Sequence, residues 1–97
     1  MITKKELVDF LNNNEFELKS TKSDLCLPII NRLVKKLNIG ISFPSIQVYD
    51  NLIINGHHRY VASQISKIEI DRIKWAKSPK HSKVNWSSVK ICKFPQK

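Results

Sequence analysis

Asn55-Gly56-His57-His58-Arg59-Tyr60 brings an amide, two imidazoles and a guanidinium together within six residues. Side chains of these types, with free backbone N–H groups beside them, are the donors that hold phosphate oxygens. They meet at one spot only if the chain turns there, and the flanks supply the turn. Leu52-Ile53-Ile54 ahead of it is a short apolar run suited to a buried strand, while Val61, Ile65 and Ile68 behind it recur at i, i+4 and i+7. The spacing predicts strand, turn and then a helix over 57–67. Gly56 can take backbone angles that a Cβ forbids, and Asn55 suits the position just before a helix. The first-turn N–H groups and the positive end of the helix dipole then face outward, with His57, His58 and Arg59 adding side-chain donors to form an anion site.

Ile54-Asn55-Gly56-His57-His58-Arg59-Tyr60-Val61-Ala62 also resembles the signature of the ParB/sulfiredoxin-like superfamily, in which a strand ends in (D/N)-G-x-(H/R)-R and runs into a helix carrying a small residue. The resemblance extends over residues 46–75 and, more loosely, the helix before them. It implies a small α+β domain, with a short mixed sheet and about three helices, that binds a nucleotide or nucleic-acid phosphate through Asn55, Gly56, His57, His58, Arg59 and Tyr60. His58 and Arg59 fall on the phosphate-contacting pair. The ligand it implies is a nucleoside di- or triphosphate, with Mg as the accompanying ion. The chemistry stays open, because the superfamily holds CTP-binding partition proteins, sulfiredoxins, free-amino-acid serine kinases and nucleases. Sulfiredoxins carry their essential cysteine between the Gly and the His of the signature. Here that position is His57, which argues against a reductase.

Catalytic candidates are few. His57 and His58 have an ordinary pKa suited to general acid or base work. Asp24, at the head of the expected second helix, is the carboxylate that phosphotransfer would need, and a helix N-cap accounts for it equally. His57 also suits a structural role, capping the helix or bonding a loop carbonyl. These residues do not assemble a catalytic set, so nuclease action, phosphotransfer and binding without turnover all stay open. Adjacent histidines point about 100 degrees apart on a helix and cannot make an i, i+4 metal pair, so no protein metal site is expected. Cys26 and Cys92 lie far apart in sequence and outside any C-x-x-C pattern, which indicates neither a disulfide framework nor zinc.

The net charge of +9 is unevenly spread: residues 55–97 hold ten Lys or Arg against two carboxylates, whereas residues 1–23 hold four of each sign. A polyanion would be drawn to the C-terminal half. This supports an alternative function, a non-catalytic nucleic-acid-binding module on the Arg72–Lys93 surface. There Arg72, Lys74, Lys77, Lys80 and Lys83 would meet phosphates, and Trp75 or Trp86 would stack on bases. A lysine-rich solubilising surface is the plain explanation of the same charge. No apolar run is long enough to span a bilayer and no hydrophobic signal region opens the chain, so a cytoplasmic address is expected.

At 97 residues the chain reads as one domain, with 1–20 as an N-terminal helical extension and 76–97 as a basic loop and tail. Thr3 and Glu6 have capping-box spacing and Ile2 and Leu7 occupy the staple positions, so a helix starts at Lys4 and continues through Phe10 and Leu11 until Asn12-Asn13-Asn14 stops it. Phe16 and Leu18 alternate with charges as in a short edge strand. A second helix has Pro28 in its first turn, a stripe of Ile29 or Ile30, Leu33, Val34 and Leu37, a wet face with Asn31, and Gly40 at its end. Strand 45–49 folds back antiparallel onto 52–54 through Asp50-Asn51. Residues 69–75 are β-rich but break alternation, which suggests a bulge or an edge. Loop 76–88 is pinned by Trp86, and Val89 with Ile91 makes a last strand before a frayed tail.

Overall fold

The computed structural model describes residues 1–93, so the tail at 94–97 lies outside the described residues. Helix α1 (Lys4–Asn13) begins as its sequence dictates. Thr3 Oγ1 accepts from Glu6 N–H at 3.1 Å and Glu6 Oε1 accepts from Thr3 N–H at 2.9 Å, which satisfies two first-turn donors reciprocally. Strand β1 (Asp24–Cys26) runs directly into helix α2 (Leu27–Asn38), with Pro28 in the first turn and Gly40, at φ +88°, just past the end. The hairpin of β2 (Ile46–Tyr49) and β3 (Leu52–Asn55) turns on Asp50, at φ +50°, and delivers the chain to α3 (His57–Ser66). Strand β4 (Arg72–Lys74) follows, then a 3-10 turn at Trp86–Ser88 and β5 (Lys90–Cys92).

The result is α+β, as expected, with three helices and two small sheets. The three-stranded sheet is mixed, in the order β3-β2-β4, antiparallel between β2 and β3 and parallel between β2 and β4. Strand β4 is therefore an edge, in keeping with its broken alternation. A second, parallel pair joins β1 to β5. Helix α2 packs against α3, and the core between helices and sheets holds Leu7, Ile30, Ile46, Ile53, Tyr60 and Val61. No helix among the described residues is long and apolar enough to cross a membrane.

Several expectations need correction. The N-terminal extension at 1–20 contributes Leu7, Leu11, Phe16 and Leu18 to the core. Phe16 and Leu18 alternate in burial as expected but form no strand; ladder contacts begin only at Lys19, which bridges Leu52, and Ser20, which bridges Val84. Asn31 does not face water: its side chain accepts from Ile2 N–H at 2.9 Å and donates to Ile2 O at 3.0 Å, tying the entry of α1 to α2. Asp24 caps no helix. It lies in β1, and the N-cap of α2 is Cys26, because the β1–β5 pairing carries the strand up to the helix. Ile68 is 38% exposed, since α3 ends at Ser66 and Lys67 turns left-handed at φ +56°.

Candidate phosphate site

Gly56 is the N-cap of α3, at φ +101°, and it brings no side chain to cap the helix. The amides of the first turn are thus left without a side-chain cap at the positive end of the dipole. The turn forms one wall of a groove of about 490 Å³, with Ile29 and Leu33 of α2 opposite, Thr21 and Lys22 at one end and His81 reaching in from the 76–88 loop. All three histidines of the chain line this groove, together with Lys22 and Arg59, and no carboxylate does. Sequence reasoning missed Lys22 and His81, which lie 36 residues before and 23 after His58 and reach the groove only through the fold.

The imidazoles take part differently from what adjacency suggests. His57 is buried, and its Nε2 accepts from Thr21 N–H at 3.1 Å; His58 Nε2 accepts from Cys26 N–H at 2.9 Å. A nitrogen that accepts carries no proton, so each ring is neutral with its proton on Nδ1. His81 is the reverse: its Nδ1 accepts from Ser78 N–H at 3.0 Å, which puts the proton on Nε2. These three N–H groups have no hydrogen-bond partner among the described residues, and the only fully enclosed side-chain polar atom without a partner there is Ser66 Oγ. The three donors therefore reach solvent.

Burial, with the Lys22 ammonium and the other histidines nearby, lowers the His57 pKa to about 4. His58 is lowered to about 4 by burial and by Lys22, against the opposing pull of Asp24. His57 and His58 serve at neutral pH as uncharged donors, and the permanent charge comes from Lys22 and Arg59. Arg59 NH1 donates to Pro44 O at 2.9 Å, and its other nitrogens have no partner among the described residues. As bases the two histidines are poorly placed, because the lone pair of each is held by a backbone amide.

Two residues of the turn leave the site. Tyr60 points into the core at 1% exposure, where its hydroxyl accepts from Leu18 N–H at 3.2 Å and its ring stacks on Trp86 with centroids 6.1 Å apart. It is a packing residue and does not line the groove. Asn55 is not the cap but does line the groove. Asp24 lies near enough to His58 to raise its pKa, yet does not line the groove. Among the described residues no cluster of three or more His, Cys, Asp or Glu is arranged to hold a metal. Mg prefers carboxylate oxygen, so the donors around the groove do not fit an ion held by the protein.

The residues of the basic-surface alternative are scattered. Lys74, Lys77, Lys80 and Lys83 are exposed, Arg72 is paired with Glu17, and Trp75 is half exposed. Trp86 cannot stack on a base: it is buried, and its indole N–H donates to Leu18 O at 3.0 Å. The fold also sets Cys26 and Cys92 opposite each other in the β1–β5 register, which their separation in sequence hides. Since His58 is held by the backbone of Cys26 and not by its thiol, replacing both cysteines by Ser is expected to leave phosphate binding unchanged. Loss of binding in a folded double variant would assign the thiols a part. No family model matches this chain, and no curated protein and no solved structure matches it.

Proposed function

We propose that this is a ParB-like phosphate-handling domain that binds a nucleotide, or another phosphate, in the groove at the N-terminus of α3. The observation that carries the reading is the convergence of His57, His58, His81, Lys22 and Arg59 on one groove without a carboxylate, beside an uncapped helix start. Neutral N–H donors and two cations suit a phosphate dianion. The apolar wall of Ile29 and Leu33 suits a base or sugar, and the volume suits a small ligand. The activity favoured is binding, as in a nucleotide switch, because the lone pairs that would take a proton in hydrolysis or phosphotransfer are already engaged. Any Mg would arrive with the nucleotide. The reading goes with a cytoplasmic address, where free nucleotides are.

Arg59→Ala tests it. A charge-assisted hydrogen bond is worth about 1.5–3 kcal/mol, so nucleotide binding is expected to weaken roughly ten- to hundredfold by calorimetric titration. The fold is expected to persist, since the guanidinium bonds nothing in the core and holds only Pro44 O, at the surface. Lys80→Ala, on the exposed loop, serves as the control. If Arg59→Ala binds every phosphate ligand as well as the parent, the histidine turn is a structural corner.

A further inference from the structure

We propose that Cys26 and Cys92 are a thiol modification site: they close a reversible disulfide with a small-molecule disulfide as oxidant, and closure loosens His58 in the groove. The register leads to this. The two cysteines are 66 residues apart in sequence, yet they face each other at the ends of β1 and β5, one step beyond the pair Leu25 and Ile91. Both are thiols in this structure. Cys26 is still extended, at φ −103° and ψ 115°, so the alternation of side chains holds to the last pair. Leu25 and Ile91 belong to the core, and Cys26 and Cys92 therefore share the other face of the strand pair. Neighbouring strands lie about 4.8 Å apart, inside the Cα separation of about 4.4–6.8 Å that a disulfide bridges. The pair needs no change of register to close.

Access sets the order of the exchange. Cys92 is half-buried and Cys26 is buried, so Cys92 meets the small disulfide first. The Cys92 thiolate, its proton given to water, attacks one sulfur; the S–S bond of the small disulfide breaks, and the leaving thiolate takes up a proton. The Cys26 thiolate, formed in the same way, then attacks the Cys92 sulfur of the mixed disulfide and expels the second small thiol. Two protein thiols are thus oxidised to one disulfide while one small disulfide is reduced to two thiols. An excess of small thiol runs the same steps backwards, as in bridges that sense redox state in a reducing compartment.

His58 feels the closure through the backbone. Cys26 N–H donates to His58 Nε2 at 2.9 Å, and Cys26 is also the N-cap of α2, which carries the Ile29 and Leu33 wall of the groove. The Cβ atoms of a disulfide lie about 3.8 Å apart, closer than the strands themselves, so the bond draws the two strand ends together by about 1 Å. Hydrogen bonds weaken with misalignment, and the His58 ring loses the anchor that orients it. The consequence for ligand binding rests on the phosphate reading of the groove; the bridge and the His58 displacement do not.

The test treats the full native chain with glutathione disulfide and follows it by mass spectrometry, thiol titration and NMR of the His58 ring, assigned through His58→Gln. The expected product is a monomer lighter by two hydrogens, with no titratable thiol, restored by dithiothreitol. Cys26→Ser is expected to stop at the glutathione adduct of Cys92. The His58 signals should shift in the bridged parent, and titration with inorganic phosphate should show binding weakened roughly two- to twelvefold, the range of one neutral hydrogen bond. A lasting glutathione adduct in the parent, a disulfide-linked dimer, or two unreacted thiols would overturn the bridge. A bridged chain whose His58 signals stay in place, or which binds phosphate as tightly as the dithiol form, would overturn the coupling. If the bridge forms and His58 shifts but neither form binds phosphate, the disulfide stands and the phosphate reading falls.

Discussion

Gly56→Ala is expected to lower the melting temperature by about 8–40 °C and to abolish phosphate binding in whatever fraction still folds. Two costs combine at this residue. Its φ of +101° is a conformation that an L side chain adopts at about 1–2 kcal/mol of strain. An added Cβ would also lie 2.5 Å from Ile46 Cγ2 and 2.9 Å from Ile46 Cβ. Ile46 is fully buried in the central strand and cannot yield, so overpacking adds about 1–3 kcal/mol. The third near atom, Arg59 NH2 at 3.0 Å, ends a long side chain and would swing away. That movement takes the guanidinium from the groove, and so the substitution strikes fold and site together. Gly40→Ala separates the terms: Gly40 has φ +88° but nothing within 4 Å of its added Cβ, so it suffers strain alone. Similar melting temperatures for the two variants would mean that close packing against Ile46 is unimportant.

The parts of this molecule that could be read from the chain are those whose causes are local. The capping box of Thr3 and Glu6 needs residues three apart, and the hairpin at Asp50-Asn51 needs a left-handed residue between two β-rich runs. The strand, turn and helix around Gly56 follow from one glycine and the change of apolar period on either side of it. What escaped is what partners far along the chain decide. His57 and His58 looked like donors. They donate only through Nδ1, because Thr21 and Cys26, 36 and 32 residues away, present backbone N–H groups that make each Nε2 an acceptor. Tyr60 looked like part of the turn because it adjoins Arg59, yet the helix rotates it towards Phe16 and Trp86 and into the core. Trp86 reads both as the pin of loop 76–88 and as a ring for stacking on bases, and only Leu18 O and Tyr60, distant in sequence, decide for the pin.

Acid is expected to unfold the protein largely through His57 and His58. Their folded pKa values, about 4, lie below the ordinary histidine value of 6.5. The unfolded chain therefore binds protons that the folded chain refuses. This contribution to stability is present in full above about pH 6.5 and is lost as pH falls towards 4. For His57, which is buried, the drop corresponds to roughly 3 kcal/mol; His58, less deeply buried, adds a smaller amount in the same sense. At 4–8 °C per kcal/mol in a domain of about this size, His57 alone accounts for a fall of about 12–24 °C between pH 7 and pH 4. His57→Gln isolates it. The Gln side-chain oxygen can still accept from Thr21 N–H but does not titrate, so this variant should melt with a flatter pH dependence than the parent. An anion in the groove favours the protonated rings, so sulfate, which stays divalent throughout this window, should soften the acid loss in the parent more than in His57→Gln. The general stabilising effect of sulfate on folded proteins is common to both, and the difference between them reads the site. Equal pH slopes in parent and variant would remove His57 as the acid-sensitive group, and equal sulfate effects would remove the groove as the place where the anion sits.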